Sequence, residues 1–495
     1  MVNSHLLEGD FSMEVKRCKF FFGRFFRSLL VFGILHGCSC SSPDRTGWDR
    51  LPEILAQIKP PSFPDQKFFI TDFGAVTDGR TDCSDAFRLA IQACHSAGGG
   101  RVVVAPGVYL TGPLHLLSRV NLHVEKGATI RFSRDLQDYL PPVFTRFEGV
   151  ECLNYSPMIY AFEQQDVAIT GEGVLDGQAD STNWWPWAGK ARDGWKTGMP
   201  HQRADRDALF LMADSGVPPA QRIFGTGHFL RVNFIQFYRC KNVLIEGVTV
   251  QRSPMWAIHP VLSENVTIRA IHYRSHGPNN DGCNPESSRN VLIRDCYFDA
   301  GDDCIAIKSG RNGDGRRVNV PSENIVIQNC TMHSGHGGVV IGSEISGSCR
   351  HIYAENCRMD SPELERALRI KTNSQRGGVI ENIHLRNITV GEVSDAVIRI
   401  NFHYEEGDSG NHTPIVRNVR ISNLESKKSE FALVLQGYAR SPISRIYLEN
   451  CQFNGVANGN IMSHVQDLVF NNVTINGEPQ QAADVEDEIS TVESD

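Results

Sequence analysis

Between residues 165 and 470 a short pattern of apolar and polar positions keeps returning: a charged or polar residue, an Asn or its equivalent, then alternating apolar residues. Lys241-Asn242-Val243-Leu244-Ile245, Glu264-Asn265-Val266-Thr267-Ile268 and Arg289-Asn290-Val291-Leu292-Ile293 are clear copies. Others place Asn324, His351, Asn382, Asn418, Arg445 and Asp467 at the Asn position, with Asp166 as an earlier relative. From 242 onward these positions lie 22 to 36 residues apart. Period-two alternation with β-branched residues predicts a short strand in each copy. No helical periodicity separates the copies, which argues against a strand–helix–strand sheet. A lone strand cannot cover its apolar face, so the copies must stack. The spacing fits coils of about three short strands, an all-β solenoid of the parallel β-helix type. Asn suits the turn into each strand, because its side chain bonds local backbone and tolerates left-handed dihedrals.

An open coil stack needs a cap. Phe68-Phe69-Ile70 reads as a strand, and Thr81 or Asp82 can start a capping helix through Ala86, Leu89, Ala90 and Ala93. Gly98-Gly99-Gly100 ends it, and Arg101–Val104 is the next strand. Residues 131–160 and 178–230 lack the repeat and are expected to be long loops. Trp184, Trp185, Trp187 and Trp195 in the second loop suit either stacking on sugar faces or packing onto the coil.

Residues 1–40 read as an export segment: Lys16, Arg17, Lys19, Arg24 and Arg27 precede a short apolar run, Ser28 to Leu35. That run is too short to span a bilayer, and no other stretch is long enough. Leu35-His36-Gly37-Cys38 resembles a bacterial lipoprotein box, so Cys38 is a candidate lipid anchor; a plain signal peptide, or a true start at Met13, are the alternatives. The expected organisation is therefore an export segment over 1–40, a tether over 41–67, a β-helix domain over 68–475 and an acidic disordered tail over 476–495. The location implied is periplasmic, outer-membrane-anchored or extracellular.

Composition is that of an ordinary globular protein, 41% hydrophobic and 21% charged. The formal net charge of -8 argues against a nucleic-acid partner. None of the 14 cysteines forms a CxxC pair. Cys296, Cys330, Cys357 and Cys451 share one phase of the repeat, which predicts stacked buried thiols rather than disulfides.

Four polar motifs interrupt the repeat: Asn279-Asn280-Asp281, Gly301-Asp302-Asp303-Cys304, Gly335-His336-Gly337 and Arg369-Ile370-Lys371. Counted from its own coil's Asn position, Asp281 lies 16 residues on, Asp302 12, His336 12 and Arg369 18. The coils are consecutive, so the motifs share one face and span roughly 15 Å at about 4.8 Å per coil. Glycosidic bonds are hydrolysed by paired carboxyl groups. Crowded carboxylates raise one another's pKa, which keeps one protonated. Asp302 and Asp303 both reach one cleft only if the strand bends at Gly301. Arg369 and Lys371 alternate with Ile370, so both face outward, and two cations suit a substrate bearing carboxylates.

These motifs resemble those of glycoside hydrolase family 28, the polygalacturonase-like enzymes, over roughly residues 68–475. The resemblance implies a single-stranded right-handed parallel β-helix of the pectin-lyase type and inversion at the anomeric carbon. It implies Asp302 as general acid, Asp281 and Asp303 as activators of water, and His336 as support for the acids. Arg369 and Lys371 would bind the galacturonate carboxylate, and Asn279 and Lys308 are further candidates for binding substrate. Neither a metal nor another cofactor is implied. The substrate would be an acidic pectic polysaccharide or oligogalacturonide and the enzyme a monomer. The loop 308–317 and the 178–230 region resemble those of exo-acting bacterial members, and Arg311, Arg316 and Arg317 would bind further sugars or simply be solvated. A rhamnogalacturonan or xylogalacturonan hydrolase, a pectate lyase and a non-catalytic surface binding module are the competing readings.

Overall fold

A computed structural model of the chain describes residues 47–481 and the backbone of 485–487. The repeat copies are strands that pair in parallel, one coil after the next. Val243 lies beside Val266, Val266 beside Val291, Val291 beside Ile325, and Ile325 beside Ile352. All five side chains are buried, forming one apolar column of the interior. Each such residue stabilises the stack by about 1.5–3 kcal/mol on burial.

Two further sheets complete each coil. One runs through Thr249–Gln251, His272–Ser275, Tyr297–Ala300 and Thr331–Ser334. The other runs through Asp303–Ile307, Gly337–Gly342, Leu368–Lys371 and Ala396–Asn401. The result is a right-handed parallel β-helix, the hand that twisted parallel strands impose on their crossovers.

The Asn positions are left-handed turns. Asn242, Asn265, Asn290 and Asn324 have φ of 55°, 57°, 56° and 56°. Each amide donates to the Asn one coil below: Asn265 to Asn242 at 3.2 Å, Asn290 to Asn265 at 3.4 Å and Asn324 to Asn290 at 2.9 Å. A second ladder stands beside the cysteines, with Asn329 donating to Asp295 and Asn387 to Asn356, both at 3.0 Å. Cys296, Cys330, Cys357 and Cys451 are buried free thiols, and no disulfide is present among the described residues.

Helix α1 is Leu51–Gln57 and helix α2 is Ser84–Ser96. Helix α2 covers the first coils with Ala86, Phe87, Ala90, Ile91 and Cys94, while Leu89, expected to face the core, is exposed. The tether expected over 41–67 is docked in its middle. Leu51, Ile54 and Ile58 pack on Leu292, Val326 and Tyr353, three outward apolar side chains stacked on successive coils. An exposed apolar row of that kind needs a cover. At the other end, Glu478–Pro479 and Val485–Asp487 pair antiparallel with Ile461–Ile475. The unpaired edge of the last coil thus holds part of the segment expected as a disordered tail over 476–495. The export segment 1–40, with Cys38, and the remaining acidic residues lie outside the described residues.

The two regions expected as plain loops are more ordered than that. Residues 131–160 contain the hairpin of Val143–Phe147 and Val150–Asn154, and also Ile159–Phe162, a strand of the coil itself. Residues 178–230 contain helix α3, Arg203–Asp214. Trp184 and Trp187 are buried in the main core, which leaves packing, not sugar stacking, as their role.

Candidate active site

The third sheet loses its regular pairing at one place. Between Ile258–Val261 and Asp303–Ile307 only isolated bridges remain, at Cys283 and Glu286. The loosened stretch carries Asn279-Asn280-Asp281. Its neighbour begins with the bend at Gly301, which turns Asp302 before the strand starts at Asp303. One coil on, Gly335 sits at φ 141°, and a Cβ there would lie 2.2 Å from the Asp302 carbonyl oxygen. Only glycine allows that approach, and it lets the His336 backbone N–H donate to the same oxygen at 3.0 Å.

Asp281, Asp302, Asp303, His336, Lys371, Lys308 and Asn279 all line one cavity of about 380 Å³. Its volume falls within the small-molecule range. The His336 imidazole Nδ1 lies 3.0 Å from Asp302 Oδ1, and its Nε2 lies 3.8 Å from Glu365. Lys371 Nζ donates to Asp303 Oδ2 at 2.8 Å, and the Arg369 guanidinium lies 3.9 Å from the other oxygen. Asn284 Nδ2 donates to Asp281 Oδ2 at 2.6 Å. Ile370, between the two cations, is fully buried in the core, so the predicted alternation holds.

The electrostatics divide the three acids. Burial, and then the neighbouring Asp302 charge, push Asp281 well above the ordinary carboxylate range. Burial pushes Asp302 upward too, but His336, then Lys371 and Lys308, overcome it and hold Asp302 below that range. His336 is correspondingly raised, chiefly by the Asp302 charge and its hydrogen bond. The crowded set is therefore split, with Asp281 shifted upward and Asp302 downward, because only Asp302 has the His336 imidazole beside it.

The cations are less free than their sequence context suggested. Lys371 and Arg369 face Asp303. Lys308 is buried over the Trp256 ring, 4.8 Å from its centroid, and pairs with Glu344 at 2.9 Å. Burial alone would lower Lys308, but Glu344, Asp281 and Asp303 together raise it. Arg311 is tied to Glu344 and Glu406 at 3.3 and 2.9 Å, Arg316 to the carbonyls of Gln375 and Arg376, and Arg317 to Asp314 and Glu151. Arg311 is buried in its pairs, Arg316 is half-buried and Arg317 is exposed, so all three are tied to the wall and only Arg311 is withdrawn from solvent.

Several lining residues escaped the sequence reading. Trp256 stands 14 positions after Asn242, the same phase as the four motifs one coil earlier, and was findable on that ground. Glu148, Lys190, Gln202, Arg203 and Arg206 come from the hairpin and the 178–230 region, and Glu344, Tyr404 and Glu405 from bends beyond the third sheet. No repeat register marks them. Among the described residues no group of three His, Cys, Asp or Glu is arranged to hold a metal ion.

Comparison with known proteins places this architecture. The model of the glycosyl hydrolases family 28 matches residues 230–469. The crystal structure of a hyperthermoactive exopolygalacturonase from Thermotoga maritima is 48% identical, with a TM-score of 0.85, covering 87% of this chain and 96% of that one. An exo-poly-alpha-D-galacturonosidase of Dickeya chrysanthemi is 26% identical over 435 residues, 82% of this chain and 70% of its own. A probable polygalacturonase of Vitis vinifera is 28% identical over 402 residues, 77% of this chain and 73% of its own.

Proposed function

This chain belongs to glycosyl hydrolase family 28, and from that premise we propose that it hydrolyses the α-1,4 bonds of polygalacturonate and its oligosaccharides, releasing galacturonate from the non-reducing end. The observation that carries this reading is the meeting of Asp281, Asp302 and Asp303 with His336 and Lys371 at one cavity. The hydrogen bond between His336 Nδ1 and Asp302 Oδ1 is the route by which Asp302 acquires a proton. Asp302 passes that proton to the departing glycosidic oxygen as the C1–O bond breaks. Asp303, ion-paired to Lys371, takes a proton from the water whose oxygen bonds to C1. Asp281, pushed upward by burial and by the Asp302 charge, orients that water, with Asn284 Nδ2 donating to one of its oxygens. Acid and base on opposite faces of the ring make a single displacement with inversion.

Exo action is supported by the walls. Helix α3, the arm before it and the hairpin tip at Glu148 close one side of the cavity. A chain end fits such a pocket, and the middle of a polymer does not. An acidic plant polymer as substrate fits an exported monomer, with Cys38 as the point of lipid attachment. Sizing the products made from polygalacturonate tests the reading. Galacturonate monomer from the first minutes is expected, and Asp302→Asn should release none. A ladder of oligomers would overturn exo action, and unsaturated products absorbing in the ultraviolet would overturn hydrolysis.

A further inference from the structure

A cation with no protein carboxylate already bound to it has all its donors free for an acidic sugar. Among the lining cations of the active-site cavity, Lys371 is paired with Asp303, Lys308 with Glu344 and Arg206 with Glu148 at 2.6 Å. Lys190 and Arg203 also line the cavity, and neither has a carboxylate within 4 Å among the described residues. Both are exposed, and both belong to the wall that closes one side. We infer that Lys190 and Arg203 are a second carboxylate-reading pair beside the motif residues Arg369 and Lys371, which binds the uronate on this side of the pocket and makes this wall a specificity element. The inference rests on the exo-polygalacturonase reading and extends it to residues outside the family motifs.

The wall is built to hold the backbone that carries those two side chains in place. Lys190 follows the single turn Trp185–Ala188, and Gly189, at φ 75°, turns the chain against His201. The Gln202 backbone N–H donates to the Trp187 carbonyl at 2.8 Å, joining the two arms. Gln202 itself is buried, and its side-chain oxygen accepts from Arg231 Nε at 3.0 Å. The other end of the Arg231 guanidinium donates to Asn279 Oδ1 at 2.6 Å. Arg203, next to Gln202, is thereby fixed relative to the loop that carries Asp281. With Asn279 Oδ1 occupied by Arg231, the Asn279 amide N–H group is left as a donor to sugar. With the backbone fixed in this way, only the freedom of the side chain itself is lost when such a cation meets a carboxylate.

The test uses the full-length enzyme with trigalacturonate, free or methyl-esterified at its non-reducing residue. Lys190→Gln and Arg203→Gln are each expected to raise KM for the free acid roughly tenfold or more, the loss of one charge-assisted hydrogen bond, with a smaller fall in kcat. Each should also shrink the preference for free acid over ester and weaken the rise of KM with salt. The charge-keeping Arg203→Lys and Lys190→Arg should recover most of the lost affinity. Unchanged KM and unchanged acid-over-ester preference in both glutamine variants would overturn the inference, as would lysine and arginine replacements no better than glutamine. A wild-type enzyme that releases no galacturonate would instead defeat the underlying functional reading, so the two failures are distinguishable.

Discussion

Lys371→Met separates a positioning role for this lysine from a substrate-binding one. In the wild-type site its ammonium lies 2.8 Å from Asp303, and both residues are almost fully buried, at 5% and 1% exposure. Removing one partner of such a pair strands the other charge and costs about 3–5 kcal/mol. Arg369, 3.9 Å from the second Asp303 oxygen, retains part of the attraction, so the lower end, about 3 kcal/mol, is expected. That loss should appear as about 3 kcal/mol in the unfolding free energy and as a fall in kcat, because the base is no longer held by its partner. The assay is kcat and KM for trigalacturonate from pH 3 to 9, together with a urea unfolding midpoint. A double variant, Lys371→Met with Asp303→Asn, should regain stability but no activity, because the stranded charge is gone along with the base. If Lys371→Met instead raised KM alone, with unchanged kcat and wild-type stability, Lys371 would be a carboxylate-binding residue and its role in positioning Asp303 would be refuted.

Two further outcomes follow from the geometry. His336 is raised by Asp302, so their mutual stabilisation is fully present below about pH 6.5 and is lost as pH rises through the elevated value. The alkaline limb of kcat/KM should therefore lie above that of an ordinary histidine. His336→Gln should remove the limb and lower kcat on the order of 100-fold, measured by pH–rate profiles. Asn324→Ala forces an alanine to φ 56° and breaks the hydrogen bond to Asn290, a cost of about 1–2 kcal/mol in the unfolding free energy; Asn324→Gly should lose less.

The sequence carried most of the scaffold, because a β-helix repeats its physics each coil. The alternation at Val243-Leu244-Ile245 and its copies is enough to demand stacking, and the Asn at each turn marks the register. The same register brought Asp281, Asp302, His336 and Lys371 to one cavity, since parallel pairing keeps phase from coil to coil. Features without a repeat were hidden. Helix α1 is too short to declare itself, and its cover of Leu292, Val326 and Tyr353 depends on residues far away in the chain. Lys190 and Arg203 carry no repeat signature, and only the contacts of Gln202 with Trp187 and Arg231 bring their segment to the cavity wall. Arg311 reads as either a sugar ligand or a solvated charge because Glu344 and Glu406, which bind it, lie 33 and 95 residues further along.

The account's central claim is that Asp302 and Asp303 act together from two sides of one glycosidic bond. Proton NMR of polygalacturonate during the first minutes of digestion tests it most directly, by reading the anomeric configuration of the newly freed galacturonate before it mutarotates. Hydrolysis of an α bond by direct attack of water gives the β-anomer first. Appearance of the α-anomer first would mean a covalent intermediate and two displacements, and would contradict the roles assigned to these carboxyl groups.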